Sequence, residues 1–341
     1  MAHENRQGAG LKRPRKGKVK PAVRPAADFA RTSIAVLVPC YNEEKSIAKV
    51  VGDFRAALPT ATIFVFDNNS TDRTVEVART AGAEVFAEPR QGKGNVVRRM
   101  FTDIEADIYV LVDGDATYDA PSAPLMVERL LRERLDMVVG GRVDQDVAAY
   151  RAGHRAGNWL LTSFVGQVFG RAFNDMLSGY RVFSRRFVKS FPVLSGGFEI
   201  ETELTIHALE LGLPAVEIEA PYYARLEGSN SKLSTWRDGF RILFTIFRIY
   251  RAERPLRFFT ALGIALALVS IGFAIPILVT YFETGLVPRL PTAVLSMGIM
   301  VLAFLSVSAG LVLDTVTRGR REAKLFAYLA QRAPGEERRR R

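Results

Sequence analysis

The chain has 341 residues, of which 48% are hydrophobic, and it carries a formal net charge of +11. This length allows one large domain or two smaller ones, and the apolar content is ample for a core. The single cysteine, Cys40, excludes an internal disulfide and fits a reducing compartment. No apolar segment follows the first basic cluster, so we expect no cleavable signal peptide.

The positive charge is concentrated near the two ends of the chain. Residues 1–30 are basic, rich in Pro and Ala, and without periodicity, which predicts a disordered tail. A second basic tail is predicted over residues 318–341, which close with EERRRR. Basic tails bind anionic lipid headgroups or nucleic acid, and a solvated tail without a partner is the alternative.

Strand and helix patterns alternate over residues 31–232, which we predict to be one cytoplasmic domain. The predicted strands are IAVLVP (34–39), TIFVFD (62–67), AEVFAE (83–88), DIYVLVD (107–113) and DMVVGGR (136–142). The predicted helices are residues 43–58, 70–82, 92–104 and 120–135. For the second helix we expect a Ser or Thr cap and an end at Gly82. This alternation predicts an α/β fold with a mostly parallel sheet and helices on both faces.

Acidic residues follow three of the predicted strands. Glu43 and Glu44 come after the first strand, Asp67 ends the second, and Asp113 and Asp115 follow the fourth. In open α/β sheets, ligands bind beyond the carboxyl ends of the strands, so we expect these side chains to converge on a site. The stretch CYNEE replaces the G-x-G-x-x-G motif after the first strand, which disfavours a dinucleotide-binding oxidoreductase.

Asp113 and Asp115 stand two residues apart around a turn-forming glycine, where two carboxylates repel each other. Helix capping explains Asp119, which precedes the next helix, but it does not explain the pair. Hard oxygen ligands suit Mg²⁺ or Mn²⁺, and such a cation also binds a diphosphate. The sequence therefore predicts a divalent cation held by Asp113 and Asp115.

Two uncharged apolar runs lie towards the C-terminus, at residues 258–282 and 290–313. As a helix, the first spans on the order of 37 Å, enough to cross a bilayer. Four arginines precede it and a basic cluster follows the second run, whereas the link carries Arg289 alone. By the positive-inside rule, residues 256–317 are predicted to form a transmembrane hairpin with both termini cytoplasmic. Two buried helices of a large soluble core are the alternative.

Residues 233–255, just before the first apolar run, combine aromatic and basic side chains. The aromatic and apolar residues recur at helical spacing near one face, and the arginines lie largely on others. This pattern predicts an amphipathic helix in the membrane interface, and a helix packed on the domain is the alternative.

Seven motifs occur in order over residues 33–232. They are VPCYNEE, FVFDNNSTDRT, GKGNVVRRM, DGDATYDAP, GGR, NDMLSGYRVFSR and GSNSKL. In this order they resemble glycosyltransferase family 2, specifically polyprenyl-phosphate glycosyltransferases similar to dolichyl-phosphate mannose synthase. The chain differs at Asn68, where a second Asp is common, and at Thr117, where Gln is frequent. The resemblance implies a GT-A-like fold, which binds a nucleotide-diphosphate-sugar.

The resemblance also implies roles for individual residues at the donor site. The residues that would bind the nucleotide-sugar are Pro39, Tyr41, Glu43, Asp67, Lys93 and Asp113. Those that would hold the metal and the diphosphate are Asp113, Asp115 and Thr117. The alternatives are a loop-forming role for Asp67 and a solvated lysine at a helix start for Lys93.

A polyprenyl phosphate is the acceptor that the resemblance implies, and this anion hardly needs a general base. The enzyme must still bring two anions together and stabilise the departing diphosphate. A metal cation and arginines can do both. The predicted catalytic residues are Asp115, Asp175, Arg142 and Arg181. The predicted ligands of the acceptor phosphate are Arg142, Arg225 and Lys232. For each arginine a surface or ion-paired role is the alternative, and for Asp175 an ion pair with Arg181.

Three glutamates occur in FEIETEL, at Glu199, Glu201 and Glu203. Other branches of the superfamily place a base near this position, but a phosphate acceptor needs none. We therefore interpret them as acids favoured by a helix dipole. His154 and His207 show no metal-binding spacing, and we predict structural roles for both.

Taken together, these patterns predict a metal-dependent inverting glycosyltransferase at the cytoplasmic face of a bacterial inner membrane. The donor would be a nucleotide-diphosphate-sugar and the acceptor a polyprenyl phosphate, with no nucleic-acid partner and with a homo-oligomer left open. One alternative is transfer to another membrane lipid or a polysaccharide, although no Q-x-x-R-W motif of processive synthases is present. The other alternative is a non-catalytic membrane scaffold that binds sugar nucleotides.

Overall fold

The computed structural model describes residues 32–144, 163, 165–166, 173–197, 199–225, 244, 247–248 and 250–335. Several predicted features lie outside these residues. They are the basic tail over 1–30, His154, the GSNSKL motif with Lys232, most of the interfacial segment 233–255, and the final EERRRR stretch.

A seven-stranded sheet with the order β3-β2-β1-β4-β6-β5-β7 forms the centre of the domain. The strands are β1 Ile34–Cys40, β2 Thr62–Asp67, β3 Glu84–Ala87, β4 Ile108–Leu111, β5 Met137–Asp144, β6 Arg181–Ser184 and β7 Ala215–Tyr222. Strands β1 to β4 pair in parallel, as do β5 and β7. Strand β6 runs antiparallel between β4 and β5. The prediction of a mostly parallel sheet is confirmed.

Helices cover both faces of the sheet and bury the central strands on both sides. They are α1 Ile47–Ala57, α2 Thr74–Thr80, α3 Lys93–Asp103, α4 Ala123–Arg132, α5 Arg185–Ser190 and α6 Ile200–Leu211. On β1, Val36 and Val38 belong to one apolar cluster, whereas Leu37 belongs to the cluster on the opposite face. This alternation follows from the two-residue period of a strand.

The start of α2 differs from the prediction. The helix begins at Thr74, and its N-cap residue Arg73 makes no side-chain capping bond. The carboxylate of Asp72 accepts hydrogen bonds from the backbone N–H and the hydroxyl of Thr74. Because these bonds hold the preceding chain in a loop, the helix is shorter than the sequence pattern indicated. The predicted end is correct, since Gly82 has a φ of +90° just beyond the helix.

The strand register places the predicted site residues at one edge of the sheet. Cys40 is level with Asp67 at the ends of β1 and β2, and Leu37 is level with Leu111 of β4. The segments that follow β1, β2 and β4 therefore meet at the same edge. Strand β5 runs in the same direction and brings Arg142 to this edge. We refer to it as the carboxyl edge.

Two long apolar helices follow the domain, α7 Pro255–Thr284 and α8 Leu290–Leu329. Both are long and apolar enough to cross a membrane, and only 17% of the most apolar window of each is buried. They pack against each other, and Ser270 and Ser296 exchange hydroxyl-to-carbonyl hydrogen bonds of 2.7 and 2.9 Å between them. Helix α8 continues well past the boundary predicted after residue 317.

Candidate active site

Lys93, the first residue of α3, lies between two carboxylates near the carboxyl edge. Its Nζ donates hydrogen bonds of 2.5 Å to Oδ1 of Asp113, which follows β4, and to Oε1 of Glu201 in the first turn of α6. The side chains of Lys93 and Glu201 are 9% and 7% exposed. Burial alone would lower the pKa of Lys93, but the charges of Asp113 and Glu201 outweigh it and raise the pKa. Lys93 therefore stays protonated.

Asp115 is buried, and both of its carboxylate oxygens are engaged. Oδ1 accepts hydrogen bonds from the hydroxyl of Thr117 at 2.6 Å and from its backbone N–H at 3.2 Å. Oδ2 lies 2.7 Å from Nη2 of Arg225. Burial and the nearby charge of Asp113 raise the pKa of Asp115, while Arg225 and Thr117 oppose this shift. Thr117 thus orients Asp115, and its role as a metal ligand stays a prediction.

Arg142 and Asp175 form a two-pronged ion pair. Nε and Nη2 of Arg142 donate to the two carboxylate oxygens of Asp175 at 2.6 and 2.8 Å, and the guanidinium lies 5.5 Å from the centre of the Tyr222 ring. Burial would raise the pKa of Asp175, but the bonds and charge of Arg142 lower it. The alternative interpretation had Asp175 paired with Arg181, and the structure instead gives it Arg142 as its ion-pair partner.

Arg181 was predicted to be a catalytic residue, and it lies in the interior of the domain. Its side chain is fully buried, and the guanidinium donates to the carbonyl oxygens of Met176 and Ser178 and to the hydroxyl of Thr205. Burial lowers its pKa to about 10. An arginine enclosed in this way holds the chain after Asp175 against α6. These contacts give Arg181 a structural role, and its predicted catalytic role stays a prediction.

The residues predicted to bind the nucleotide lie where β1 and β2 end. Pro39 is in β1, Tyr41 and Glu43 follow it, and Asp67 ends β2 with a carboxylate that accepts hydrogen bonds of 3.2 and 3.3 Å from Ser70 N–H. That bond also matches the alternative of a loop-forming Asp67. The hydroxyl of Ser46 donates to the carbonyl oxygen of Gly114 at 2.7 Å. The loop after β1 is thereby joined to the loop that carries Asp113 and Asp115.

Asp113 is also close to the segment that leads into β6. A Cβ atom on Gly179 would lie 2.5 Å from Oδ2 of Asp113, so any larger residue there would displace this carboxylate. The Gly179 N–H donates to the hydroxyl of Tyr118 at 2.8 Å, and the rings of Tyr118 and Tyr222 are in edge contact. Since Arg142 lies over the Tyr222 ring, the Asp113 and Arg142 groups share one wall of the site.

Two glutamates of α6 have roles that sequence reasoning missed. Glu201 pairs with Lys93, and Glu203 accepts hydrogen bonds from the N–H groups of Leu194 and Ser195 at 2.9 and 2.8 Å. A Cβ on Gly94 would lie 2.1 Å from the Ser195 carbonyl oxygen, so this loop packs directly on the first turn of α3. The acids do lie in the first turn of their helix. The partner of Glu201 is 108 positions away, whereas Glu203 binds backbone N–H groups only nine and eight positions before it.

The donor set at Asp113 and Asp115 fits a divalent cation. Each carboxylate has a cationic partner, Lys93 for Asp113 and Arg225 for Asp115, so positive charge stabilises both ionised acids. No group of three His, Cys, Asp or Glu side chains suited to a metal occurs among the described residues. Two carboxylates are sufficient for an ion such as Mg²⁺, whose remaining ligands are commonly water and substrate phosphates.

Comparison with known proteins identifies the family. The model described as Glycosyl transferase family 2 matches residues 35–191. Glycosyltransferase AglJ of Haloferax volcanii is 35% identical over 245 residues, which are 71% of this chain and 80% of the relative. The dolichyl-phosphate hexose transferase of the same organism is 26% identical over 227 residues, 67% of this chain and 98% of the relative.

The fold is also similar to that of a solved glycosyltransferase. Glucosyl-3-phosphoglycerate synthase from Mycobacterium tuberculosis, crystallised with Mn²⁺, uridine diphosphate and phosphoglyceric acid, superposes with a TM-score of 0.52 and 25% identity. The match covers 66% of this chain and 84% of that protein. The sheet, the site at its carboxyl edge and these similarities agree, and the chain belongs to glycosyltransferase family 2.

Proposed function

We propose that the protein transfers a sugar, with inversion, from a nucleotide-diphosphate-sugar to a polyprenyl phosphate at the cytoplasmic face of a membrane. The observation that carries the proposal is the Asp113 and Asp115 pair, each facing a cationic side chain, in a chain with two candidate membrane spans. A dolichyl-phosphate hexose transferase among the relatives supports the acceptor class. A structural neighbour crystallised with Mn²⁺ and uridine diphosphate supports the donor class.

For the donor, the proposal assigns the diphosphate to Asp113, Asp115 and Lys93. A Mg²⁺ or Mn²⁺ ion held by the two carboxylates would neutralise the diphosphate and stabilise it as a leaving group. Lys93 adds a fixed positive charge, because Asp113 and Glu201 hold its ammonium group in place. The base and ribose would lie over the ends of β1 and β2, against Pro39, Tyr41, Glu43 and Asp67.

In the proposed reaction, an oxygen of the lipid phosphate forms a bond to the anomeric carbon of the sugar. The bond between that carbon and the diphosphate oxygen breaks on the opposite face, so the configuration inverts. The nucleophile is already ionised, and no proton needs to be removed. Arg142, oriented by Asp175, and Arg225 would position the lipid phosphate by charge and hydrogen bonding. Lys232, outside the described residues, remains a third predicted ligand.

The proposed location is a bacterial inner membrane, with α7 and α8 crossing it as a hairpin. Arginines and lysines flank the outer ends of the two apolar runs, which favours cytoplasmic positions for the domain and both termini. Phe247 and Tyr250 contact Phe258 of α7, with ring centroids 5.3 and 6.4 Å apart, so aromatic rings gather where the first span begins. Such rings suit the membrane interface.

The proposed function is tested by substitution of Asp115 in purified protein reconstituted with polyprenyl phosphate. Asp115→Ala is expected to abolish metal-dependent transfer, while Asp103→Ala, a surface change on α3, is expected to retain it. Membrane insertion of both variants is checked by flotation with liposomes. Full transfer activity in Asp115→Ala would contradict the assigned role, and a water-soluble glycosylated product would contradict the proposed acceptor.

A further inference from the structure

Helix α8 extends beyond the apolar run that ends at Leu313. We call the extension, Asp314–Leu329, the strut. From Asp314 to Tyr328 it covers about 21 Å at a rise of about 1.5 Å per residue. It is therefore a continuation of the second candidate membrane span, and it returns to contact the glycosyltransferase domain at two points.

The first contact is made by Tyr328. Its hydroxyl donates a 2.9 Å hydrogen bond to Oδ2 of Asp136, and the guanidinium of Arg186 lies 4.8 Å from the centre of its ring. Asp136 is fully buried and also accepts hydrogen bonds from Ser184 at 2.7 Å and from Arg186 at 2.5 Å. Tyr328 packs against the apolar cluster of the α3, α5 and α6 face. This contact combines apolar packing with a bond to a buried charge.

The second contact is an ion pair between Lys324 and Glu210. Nζ of Lys324 lies 2.7 Å from Oε2 of Glu210, and the two side chains are 21% and 7% exposed. Glu210 belongs to the last turn of α6, the helix whose first turn carries Glu201 of the candidate active site. A pair this strongly desolvated is costly to break, because either partner alone would be a buried charge.

The membrane-proximal part of the strut is tied to the segment just before α7. The hydroxyl of Thr317 and Nη2 of Arg320 both donate to the carbonyl oxygen of Ala252, at 3.2 and 3.3 Å. The strut therefore contacts the segment that leads into the membrane hairpin at one end and the domain at the other. A continuous helix with contacts at both ends limits how the two parts can move relative to each other.

The strut contacts the edge of the sheet opposite to the candidate active site. Tyr328 contacts Asp136, which directly precedes Met137, the first residue of β5. Met137 and Tyr109 both pair with Phe183 of β6, so the start of β5 is level with the start of β4. Arg142 lies six residues after Asp136 in the direction of β5, about 20 Å away at about 3.3 Å per residue. The strut thus holds the domain by its far edge and leaves the carboxyl edge uncovered.

We propose that the strut fixes the glycosyltransferase domain relative to the membrane hairpin, with Tyr328 and Lys324 as its positioning residues, so that a bilayer-embedded acceptor meets the carboxyl edge in one orientation. The catalytic consequence rests on the proposed polyprenyl-phosphate acceptor. The structural part does not, since it concerns only the contacts of this chain.

The test compares two double variants of the full-length protein. Lys324→Ala/Tyr328→Ala removes both contacts with the domain. Phe326→Ala/Leu329→Ala is the matched control, because these side chains are 69% and 65% exposed on the same helix. Tyr328→Phe, which removes only the bond to Asp136, is the mild variant to use if the first double variant fails to fold.

The structural readout is the distance between two spin labels, measured by pulsed electron paramagnetic resonance in nanodiscs. Labels on Glu128→Cys in α4 and Val287→Cys in the α7–α8 link are suitable, since both positions are exposed and the chain's single cysteine is buried. We expect one narrow distribution in the parent protein and the control, and a broad one when both contacts are removed. A distribution that stays narrow without the two contacts would overturn the proposal.

The functional readout compares a long-chain polyprenyl phosphate in the bilayer with a short, water-soluble prenyl phosphate. Removal of the contacts is expected to lower transfer to the embedded acceptor about tenfold while leaving transfer to the soluble one unchanged. Equal losses with both acceptors would overturn the positioning role. If the parent protein used neither acceptor, the proposed function would fail, and the distance measurement would still decide the role of the strut.

Discussion

The guanidinium group of Arg225 lies 2.7 Å from a carboxylate oxygen of Asp115. Arg225 was predicted to bind the acceptor phosphate, yet here it neutralises a carboxylate predicted to bind the metal. The two roles are compatible if Arg225 leaves Asp115 when a divalent cation arrives and then faces the phosphates. We therefore expect Arg225 and the cation to compete for the same oxygen in the donor-free protein.

Replacement of Arg225 tests this competition directly. In the absence of nucleotide, Arg225→Gln should bind Mn²⁺ about two- to fivefold more tightly than the parent protein. This factor corresponds to the free energy of a partly exposed ion pair. Its transfer rate should fall, because the acceptor phosphate loses a ligand. Free Mn²⁺ measured by electron paramagnetic resonance gives the affinity, and Arg73→Gln, on the surface of the domain, is the control. Weaker Mn²⁺ binding by Arg225→Gln would contradict the competition.

Lys93 and Glu201 are expected to show strongly non-additive effects on stability. Lys93→Met leaves Glu201 as a buried unpaired carboxylate and should lower the free energy of unfolding by about 3 kcal/mol. The double variant Lys93→Met/Glu201→Gln removes that unpaired charge and should recover a large part of the loss. Denaturant unfolding of the parent, the two single variants Lys93→Met and Glu201→Gln, and the double variant gives the interaction energy, and simple additivity would contradict a direct pair.

The same variants separate stability from donor binding. If Lys93 contacts the donor diphosphate, the double variant should regain stability without regaining affinity for the nucleotide-sugar. Calorimetric titration with the nucleoside diphosphate and Mn²⁺ measures this affinity. Restored affinity in the double variant would show that Lys93 acts only as the partner of Glu201.

Asp175 is predicted to act by holding Arg142 in position. Asp175→Asn keeps the shape of the side chain but removes the charge that fixes the guanidinium, so the transfer rate should fall about 100-fold. Donor affinity should stay unchanged, because neither residue of this pair is among those proposed to bind the donor. Steady-state kinetics with both substrates varied separates the two effects, with Asp119→Asn at the same edge as the control. A loss confined to donor affinity would contradict this role.

His207 gives the folded domain a defined sensitivity to acid. Burial, together with the nearby charge of Lys324, lowers its pKa to about 3, whereas an unfolded histidine titrates near pH 6.5. The folded state therefore binds fewer protons than the unfolded state between these values. The contribution of neutral His207 to the free energy of unfolding is fully present above pH 6.5. Below pH 6.5 it decreases by about 1.4 kcal/mol per pH unit.

This sensitivity can be isolated by comparing the parent protein with His207→Gln. Between pH 7.5 and pH 5, the parent should lose about 2 kcal/mol more stability than the variant, because glutamine does not titrate. The melting temperature of each protein at the two pH values measures the difference. Equal decreases in the melting temperatures of the two proteins would contradict the presence of a buried neutral histidine at position 207.

Much of the fold was predictable because its signals are local. Apolar strands alternate with helical stripes such as Ile47, Val50, Val51 and Phe54, all of which are buried in α1. The prediction that acids meet at the ends of β1, β2 and β4 needed only a parallel sheet. Strand β6 was not predicted: it has four residues and begins with Arg181, and its place between β4 and β5 depends on non-local pairing.

The contacts within the site were less predictable than its composition. Lys93 and Glu201 are 108 positions apart, and no spacing rule joins a helix start to an acid so far along the chain. Arg181 sits in a motif rich in site residues, so the sequence suggested a ligand contact, whereas the side chain is buried against Thr205. The strut from residue 318 onwards was predicted to be part of a basic tail, because its many charged residues gave no sign of the apolar contact that Tyr328 makes.

The most direct test of the account is the identity of the product made by the purified protein. The protein would be incubated with Mg²⁺ or Mn²⁺, a polyprenyl phosphate and a panel of nucleotide-sugars. The masses of the lipid products would then be measured by mass spectrometry. We expect one new lipid, heavier than the polyprenyl phosphate by a single sugar residue, formed only with metal present. Sugar transfer without metal, or a sugar found on any acceptor other than the prenyl phosphate, would contradict it.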